Sequence, residues 1–314
     1  MNWEKLKTFY KVSKVGSFTA AATELNITQS SLSRSIMLLE HELKTKLFFR
    51  TVRGLELTDH GKILLRVVQR MAAEAESAES LFFEDKNEPE GPLRVATTLS
   101  LASMWLPYYT TEFLERFPGI NLMIIGNDEE LDLNIREADA AIRPFVPHQP
   151  ELIQRYLATF SPKLWASPKY LDKYGTPKTL KDLDRHRLIT YNDDSLHPYG
   201  NINWILHAGI EDSHVRKSYL RINLGFGLLQ MAEEGLGIIA MSPEYKILET
   251  SNLVQILPEA EGPSNKIYYS YPRQMKGFKR VECLGDYLED VLSQARFKKE
   301  SEQSSALADE TSSE

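Results

Sequence analysis

Apolar residues recur every three or four positions through the first part of the chain. Leu6, Phe9, Tyr10 and Ser13 mark one stripe of a first helix, which Gly16 can close as a left-handed C-terminal residue. Ser17 is placed to cap a second helix with Phe18, Ala21, Ala22 and Leu25 on one face. Asn26 and Ile27 leave room only for a tight turn before Thr28 opens a third helix, whose apolar face is Leu32, Ile36, Leu39 and Leu43. Residues 47–58 then read as two short strands around Arg53 and Gly54. From Thr58 a long helical pattern runs to about residue 84, with Leu64, Val67, Val68, Met71, Ala75, Ala78 and Phe82 on one side. Residues 84–92 are charged, aperiodic and broken by Pro and Gly, and end this part of the chain.

Beyond residue 92 strands and helices alternate. Residues 93–98, 120–126 and 139–143 read as strands, separated by helical patterns over 102–117 and 128–138. Such alternation predicts a parallel α/β sheet with ligand space at the carboxyl ends of its strands. A second run follows, with strands over 163–167, 187–191 and 235–242 and helices over 168–174 and 225–234. The strand pattern at 266–271 and a closing helix over about 278–296 can return to the first sheet. The result is a clamshell of two α/β lobes, lobe 1 at about 92–161 and 266–298 and lobe 2 at about 162–265. Residues 299–314 have no apolar face and are expected to be disordered.

The third helix carries the first chemical signal. Ser30, Ser33, Arg34 and Met37 fall opposite its apolar face, with Gln29 at the first turn. Two short helices, a tight turn and a helix with an outward polar face make a helix-turn-helix, whose second helix offers its N-terminal residues to base edges in the major groove. Hydroxyls and an amide are short donors and acceptors that permit close approach, while Arg34 can reach phosphate or guanine. Capping explains Thr28 and Ser31 but leaves Ser30 and Ser33 without a role. The strand pair reads as a wing from which Arg50 and Arg53 project toward the minor groove or its phosphates. Small alanines along the following helix suit a second copy of the chain, and two-fold pairing presents two heads to a roughly palindromic site.

Charge supports this division. The chain carries −7 in all, yet residues 1–60 hold nine Lys and Arg against six acids, leaving −10 on the remainder. A basic module on an acidic body fits a head that meets DNA better than a protein that coats it indiscriminately. No basic stretch leads into an apolar run at the N-terminus and no window approaches a membrane span, so a cytoplasmic protein with no membrane partner is expected. Cys283 stands alone beside Val281 and Leu284 and reads as a small core residue.

Catalytic patterns are lacking. The seven histidines (41, 60, 148, 186, 197, 207, 214) form no H-E-x-x-H pair, and Gly235 to Gly237 make neither a dinucleotide fingerprint nor a phosphate loop. No nucleophile elbow occurs, and the pairs Glu129/Glu130 and Asp193/Asp194 read as surface or turn residues. Neither a cofactor nor a metal site is expected, and the body reads as a sensor in preference to an enzyme.

The run FYKVSKVGSFTAAATELNITQSSLSRSIMLLEHELKTKLFFRTVRGLELTDHG closely resembles the winged helix-turn-helix of LysR-type transcriptional regulators. It has their Ala-rich second helix, the Q-S-x-x-S-x-x-I recognition helix, the L-F-x-R wing and the L-T-x-x-G opening of the linker helix. The body resembles the same family's effector domain through ASPKYLDKYGTPKTLKDLDRHRLITY and LDLNIREADAAIR. The resemblance implies an N-terminal winged helix-turn-helix over 1–58, a linker helix and hinge over 59–91, and a two-lobed, periplasmic-binding-protein-like effector domain over 92–298. It also implies DNA contacts from Thr28, Gln29, Ser30, Ser33, Arg34 and Arg53, although the family often has proline where Ser30 stands.

For the effector the resemblance points to Thr98 and Ser100 after the first strand, Asn127 after the second and Arg143 at the crossover. Tyr199 and Phe226 are the candidates from the second lobe. The hydroxyls can serve equally as helix caps. Backbone N–H groups at that helix start favour an anionic ligand such as a carboxylate. Asp128, Glu129 and Glu130 beside Asn127 exclude anions if they face the cleft and have no bearing if they face solvent.

The expectation is a homodimeric or homotetrameric regulator that binds a pseudo-palindromic operator and responds to a small molecule between its lobes. A DNA-associated α/β enzyme and a ligand-independent architectural DNA binder are the alternatives.

Overall fold

The structure, a computed structural model, describes residues 2–51, 54–83, 88–129, 133, 138–144, 149–192, 199–210 and 215–311. The chain divides into two units, the first ending at Phe83 and the second built from most of the remainder.

The first unit runs α1 (Trp3–Val15), α2 (Phe18–Glu24), α3 (Gln29–Leu43), β1 (Phe48–Thr51), β2 (Gly54–Leu57) and α4 (Asp59–Phe83). Each helix begins on a side-chain cap: Asn2 accepts from Glu4 N, Ser17 from Ala20 N and Thr28 from Ser31 N. Gly16 ends α1 at φ 68°, and Asn26 at φ 54° makes the sharp turn before α3. Leu6, Phe9, Ala21, Leu32, Ile36 and Leu39 from the three helices meet Leu47 and Val68 in one core. Burying each large side chain there contributes roughly 1.5–3 kcal/mol. Strands β1 and β2 pair antiparallel, and the Phe48 ring at the start of β1 lies 5.3 Å from that of Phe9.

Thr58 and Gly61 lock α4 onto this core. The Thr58 hydroxyl donates to Lys46 O at 2.7 Å and accepts from Gly61 N at 2.9 Å. Gly61 packs so closely on the Leu47 carbonyl that any β-carbon would collide with it.

The second unit has two lobes. Lobe 1 is a five-stranded sheet in the order β4-β3-β5-β12-β6, made from β3 (Gly91–Thr97), β4 (Ile120–Gly126), β5 (Ala140–Pro144), β6 (Leu152–Phe160) and β12 (Asn265–Pro272). Helices α5 (Leu99–Met104), α6 (Pro107–Arg116) and α10 (Lys279–Thr311) belong with it. Lobe 2 contains β7 (Lys163–Ala166), α7 (Pro168–Tyr174), β8 (Ile189–Tyr191), β9 (Leu220–Ile222), α8 (Gly225–Glu233), β10 (Ile239–Met241), α9 (Ile247–Thr250) and β11 (Val254–Ile256). Its strands run β10-β7-β11, with the parallel pair β8-β9 joined by a bridge between Leu188 and Ile238. Where the chain crosses between lobes the two passages are bonded together, Gly262 N donating to Pro162 O at 2.8 Å and Ser161 Oγ lying 2.9 Å from Ser264 Oγ.

Several details depart from the sequence reading. Only β3 pairs parallel with β4 and β5; β12 runs antiparallel to both β5 and β6, so the sheet of lobe 1 is mixed. The reason is the double crossing, since β6 leaves for lobe 2 and β12 returns beside it in the opposite sense. The helix expected over 102–117 is two helices, because Pro107 has no N–H to continue the first and instead opens the second. The last helix continues to Thr311 where a disordered tail was expected; Glu, Lys, Gln and Ala favour helical backbone even without an apolar face. The helix expected over 128–138 lies mostly outside the described residues.

Candidate functional site

In the first unit, α3 separates its two faces cleanly. Leu32, Ile36 and Leu39 are buried, while Thr28, Gln29, Ser30 and Arg34 are exposed and Ser33 is half-buried. The Ser30 hydroxyl lies 3.1 Å from that of Thr28, so the first turn presents a joined pair of hydroxyls beside the Gln29 amide. Arg50 stands opposite Leu55 in the β1–β2 ladder, and Arg53 lies outside the described residues.

In the second unit, a cleft of about 50 Å³ opens beside the lobe crossing. Phe160 and Pro162 on one passage and Pro263 on the other form one wall, and Tyr191, Tyr199 and Tyr245 form another. The phenols bind the start of α5. Thr98 Oγ1 lies 2.7 Å from Tyr199 Oη, and Ser100 Oγ lies 3.3 Å from Tyr191 Oη. Tyr245 adds hydrogen bonds to Tyr199 and Ser100. Asn203 pins the backbone of Tyr191 from both sides, accepting from its N–H and donating to its carbonyl.

This arrangement keeps the phenols protonated. Burial pushes Tyr191 up to about 12; the Ser100 hydrogen bond opposes the shift and the Asp128 carboxylate adds to it. Tyr199 and Tyr245 move the same way, again chiefly by burial. At neutral pH each therefore offers one donor and an acceptor oxygen.

The expected effector residues divide in place. Tyr199 lines the cleft; Thr98 and Ser100 do not line it but bond to the phenols of Tyr199 and Tyr191, which do, and Thr98 also caps α5 by accepting from Leu101 N at 3.2 Å. Asn127 folds back on its own loop, its Oδ1 accepting from Glu129 N at 3.0 Å. Arg143 is buried beneath that loop and donates to the carbonyls of Glu129 and Asp128 at 3.0 and 3.2 Å. Phe226 does not line the cleft and is 41% exposed. Its neighbour Gly225 makes the approach instead, with Tyr191 Oη only 2.6 Å from where a β-carbon would stand. Tyr191 and Tyr245 escaped the sequence reading, although Tyr191 sits at the carboxyl end of a strand, where ligand sites of α/β sheets gather.

Two family descriptions match this chain over these two units. Residues 3–62 match the bacterial regulatory helix-turn-helix protein, lysR family, and residues 86–293 match the LysR substrate binding domain. The chain belongs to the LysR family of transcriptional regulators. Among similar proteins, the HTH-type transcriptional regulator CrgA of Neisseria meningitidis serogroup C is 30% identical, the match covering 86% of this chain and 91% of that one. The HTH-type transcriptional activator AaeR of Escherichia coli is 27% identical over 91% of this chain and 93% of its own. A solved structure of CrgA, 27% identical, superposes over 93% of this chain and 99% of its own with a TM-score of 0.58. The LysR-type protein thus combines a DNA-binding head with an effector-binding domain, and its relatives are named as regulators. No helix among the described residues is long and apolar enough to cross a membrane.

Proposed function

We propose that this LysR-type regulator acts in the cytoplasm as a homodimer or homotetramer on a pseudo-palindromic operator. Thr28, Gln29, Ser30, Ser33 and Arg34 of α3 read base edges and phosphates, with Arg50 and Arg53 contributing from the wing. The observation that carries this reading is the segregation of α3, whose buried Leu32, Ile36 and Leu39 turn the polar residues outward. Pairing is assigned to α4, where Ile63 and Met71 leave apolar surface exposed.

A small molecule held in the cleft between the lobes changes the balance between two lobe settings, and with it operator occupancy. Thr98, Ser100 and Tyr199 support this half of the reading, since each hydroxyl pair joins a residue of lobe 1 to a phenol of lobe 2 that lines the cleft. Asn127 and Arg143 act one step back, by holding the loop that carries Asp128.

The test is affinity for the DNA upstream of the protein's own gene against scrambled DNA, across a salt series. Specific binding tighter by roughly 10³-fold or more, with a steep salt slope, is expected. Equal and weak binding to both would remove sequence reading by α3.

A further inference from the structure

We infer that the cleft takes an uncharged molecule with a flat apolar body, bearing hydroxyl, amide or carbonyl groups, and turns away organic anions. The inference rests on the effector-binding reading of the same cleft and names its ligand class.

The start of α5 is the place where an anionic effector would find backbone donors, and this chain fills it itself. Asp128 Oδ1 accepts from Leu99 N at 3.0 Å, and Thr98 Oγ1 accepts from Leu101 N. The loop carrying Asp128 is fixed in that setting. Arg143 donates to its carbonyls from below, and Asn127 closes a turn on Glu129. A carboxylate seeking those donors would have to displace a tethered one and meet its charge. That charge reaches the cleft wall, because Asp128 helps to raise both Tyr191 and Tyr199.

Among the described residues, no Lys, Arg or His lines the cleft, and no Asp or Glu lines it either. Among the described residues a cation thus finds no partner on the cleft wall, as an anion finds none, and Asp128 is already committed to Leu99. The lining supplies rings and proline faces for an apolar body, with phenols, Ser242 and Asn201 for a few polar groups.

The experiment uses the full chain and four probes that share one ring: benzamide, benzyl alcohol, benzoate and benzylamine, compared by calorimetry at neutral pH. Benzamide or benzyl alcohol is expected to bind, with benzoate and benzylammonium weaker by on the order of tenfold or more. Asn201→Trp, an exposed position on the rim, is expected to weaken that binding. Asp128→Asn is expected to narrow the gap between benzamide and benzoate; a folded variant with an unchanged gap overturns the role of Asp128. The comparison in the native chain stands whether or not that variant folds. Benzoate or benzylammonium binding as tightly as the neutral probes overturns the inference, as does neutral binding that Asn201→Trp leaves intact.

Operator affinity measured on the same preparation separates the failures. Charged probes that bind in the cleft overturn the ligand class alone. If no probe binds while operator binding persists, the inference falls and the DNA half stands.

Discussion

The Thr98 hydroxyl lies 2.7 Å from the Tyr199 phenol oxygen, joining the first turn of a lobe 1 helix to the second lobe. Both groups are buried, so the bond has little competition from water. The same Thr98 oxygen caps α5, which makes one residue answer for a helix start and for contact between the lobes.

Tyr199→Phe removes the contact and keeps the ring. A loss of about 0.5–1.5 kcal/mol in urea unfolding is expected. Thr98→Val removes cap and contact together and is expected to cost more, with about 1 kcal/mol added for the cap. Equal effects of the two variants would mean that the cap contributes nothing.

The buried phenols predict an alkaline limit to stability. Folding raises Tyr191 from the usual value near 10 to about 12, and Tyr199 and Tyr245 shift in the same direction. The folded protein then holds protons that the unfolded chain releases. This contribution is full below pH 10 and is lost as pH rises from 10 through about 12. Urea midpoints taken across that range should fall, and Tyr191→Phe should flatten the fall. A slope unaltered in the variant would place the titrating groups elsewhere.

Gly61→Ala tests the seat of the linker helix. The added methyl group meets the Leu47 carbonyl at the first turn of α4, and a loss of roughly 1–3 kcal/mol is expected. Lys62→Ala, exposed and paired with exposed Asp59, should stay within about 0.5 kcal/mol of the parent. Melting curves of the two variants side by side decide the matter; similar curves would show that the backbone shifts to make room.

Cys283 should be inert in the folded protein. Burial pushes its thiol up from 9.0 to about 12, and its Sγ donates to Arg280 O. Alkylation by iodoacetamide at neutral pH should run roughly 10³-fold slower than in the urea-unfolded chain, in proportion to the thiolate fraction. Fast labelling of native protein would show that the side chain opens to solvent.

Local rules made the head legible in the sequence. Its helices are short-range objects, each set by a cap, an apolar period and a terminating residue such as Gly16 or Asn26. The outward face of α3 followed from the same period that buried Leu32 and Ile36. Alternation of strand and helix also located most of the body, and the break at Pro107 could have been read from the residue itself.

Contacts between distant segments were decided only by the tertiary structure. Tyr191, Tyr199 and Tyr245 have no common spacing, and only the folding of lobe 2 brings their hydroxyls to Thr98 and Ser100. The antiparallel sense of β12 depends on where the chain returns from the second lobe, which no window of sequence encodes. Asp128 shows the difference most plainly. Its sequence left its direction open, and the long-range bond to Leu99 N, on a loop held by Arg143 from another strand, turns its carboxylate to the start of α5. Periodicity and capping act over a few residues and are written in order along the chain. A cleft is assembled from residues more than a hundred positions apart, such as Phe160 and Asn265, and its chemistry exists only once the strands that carry it have packed.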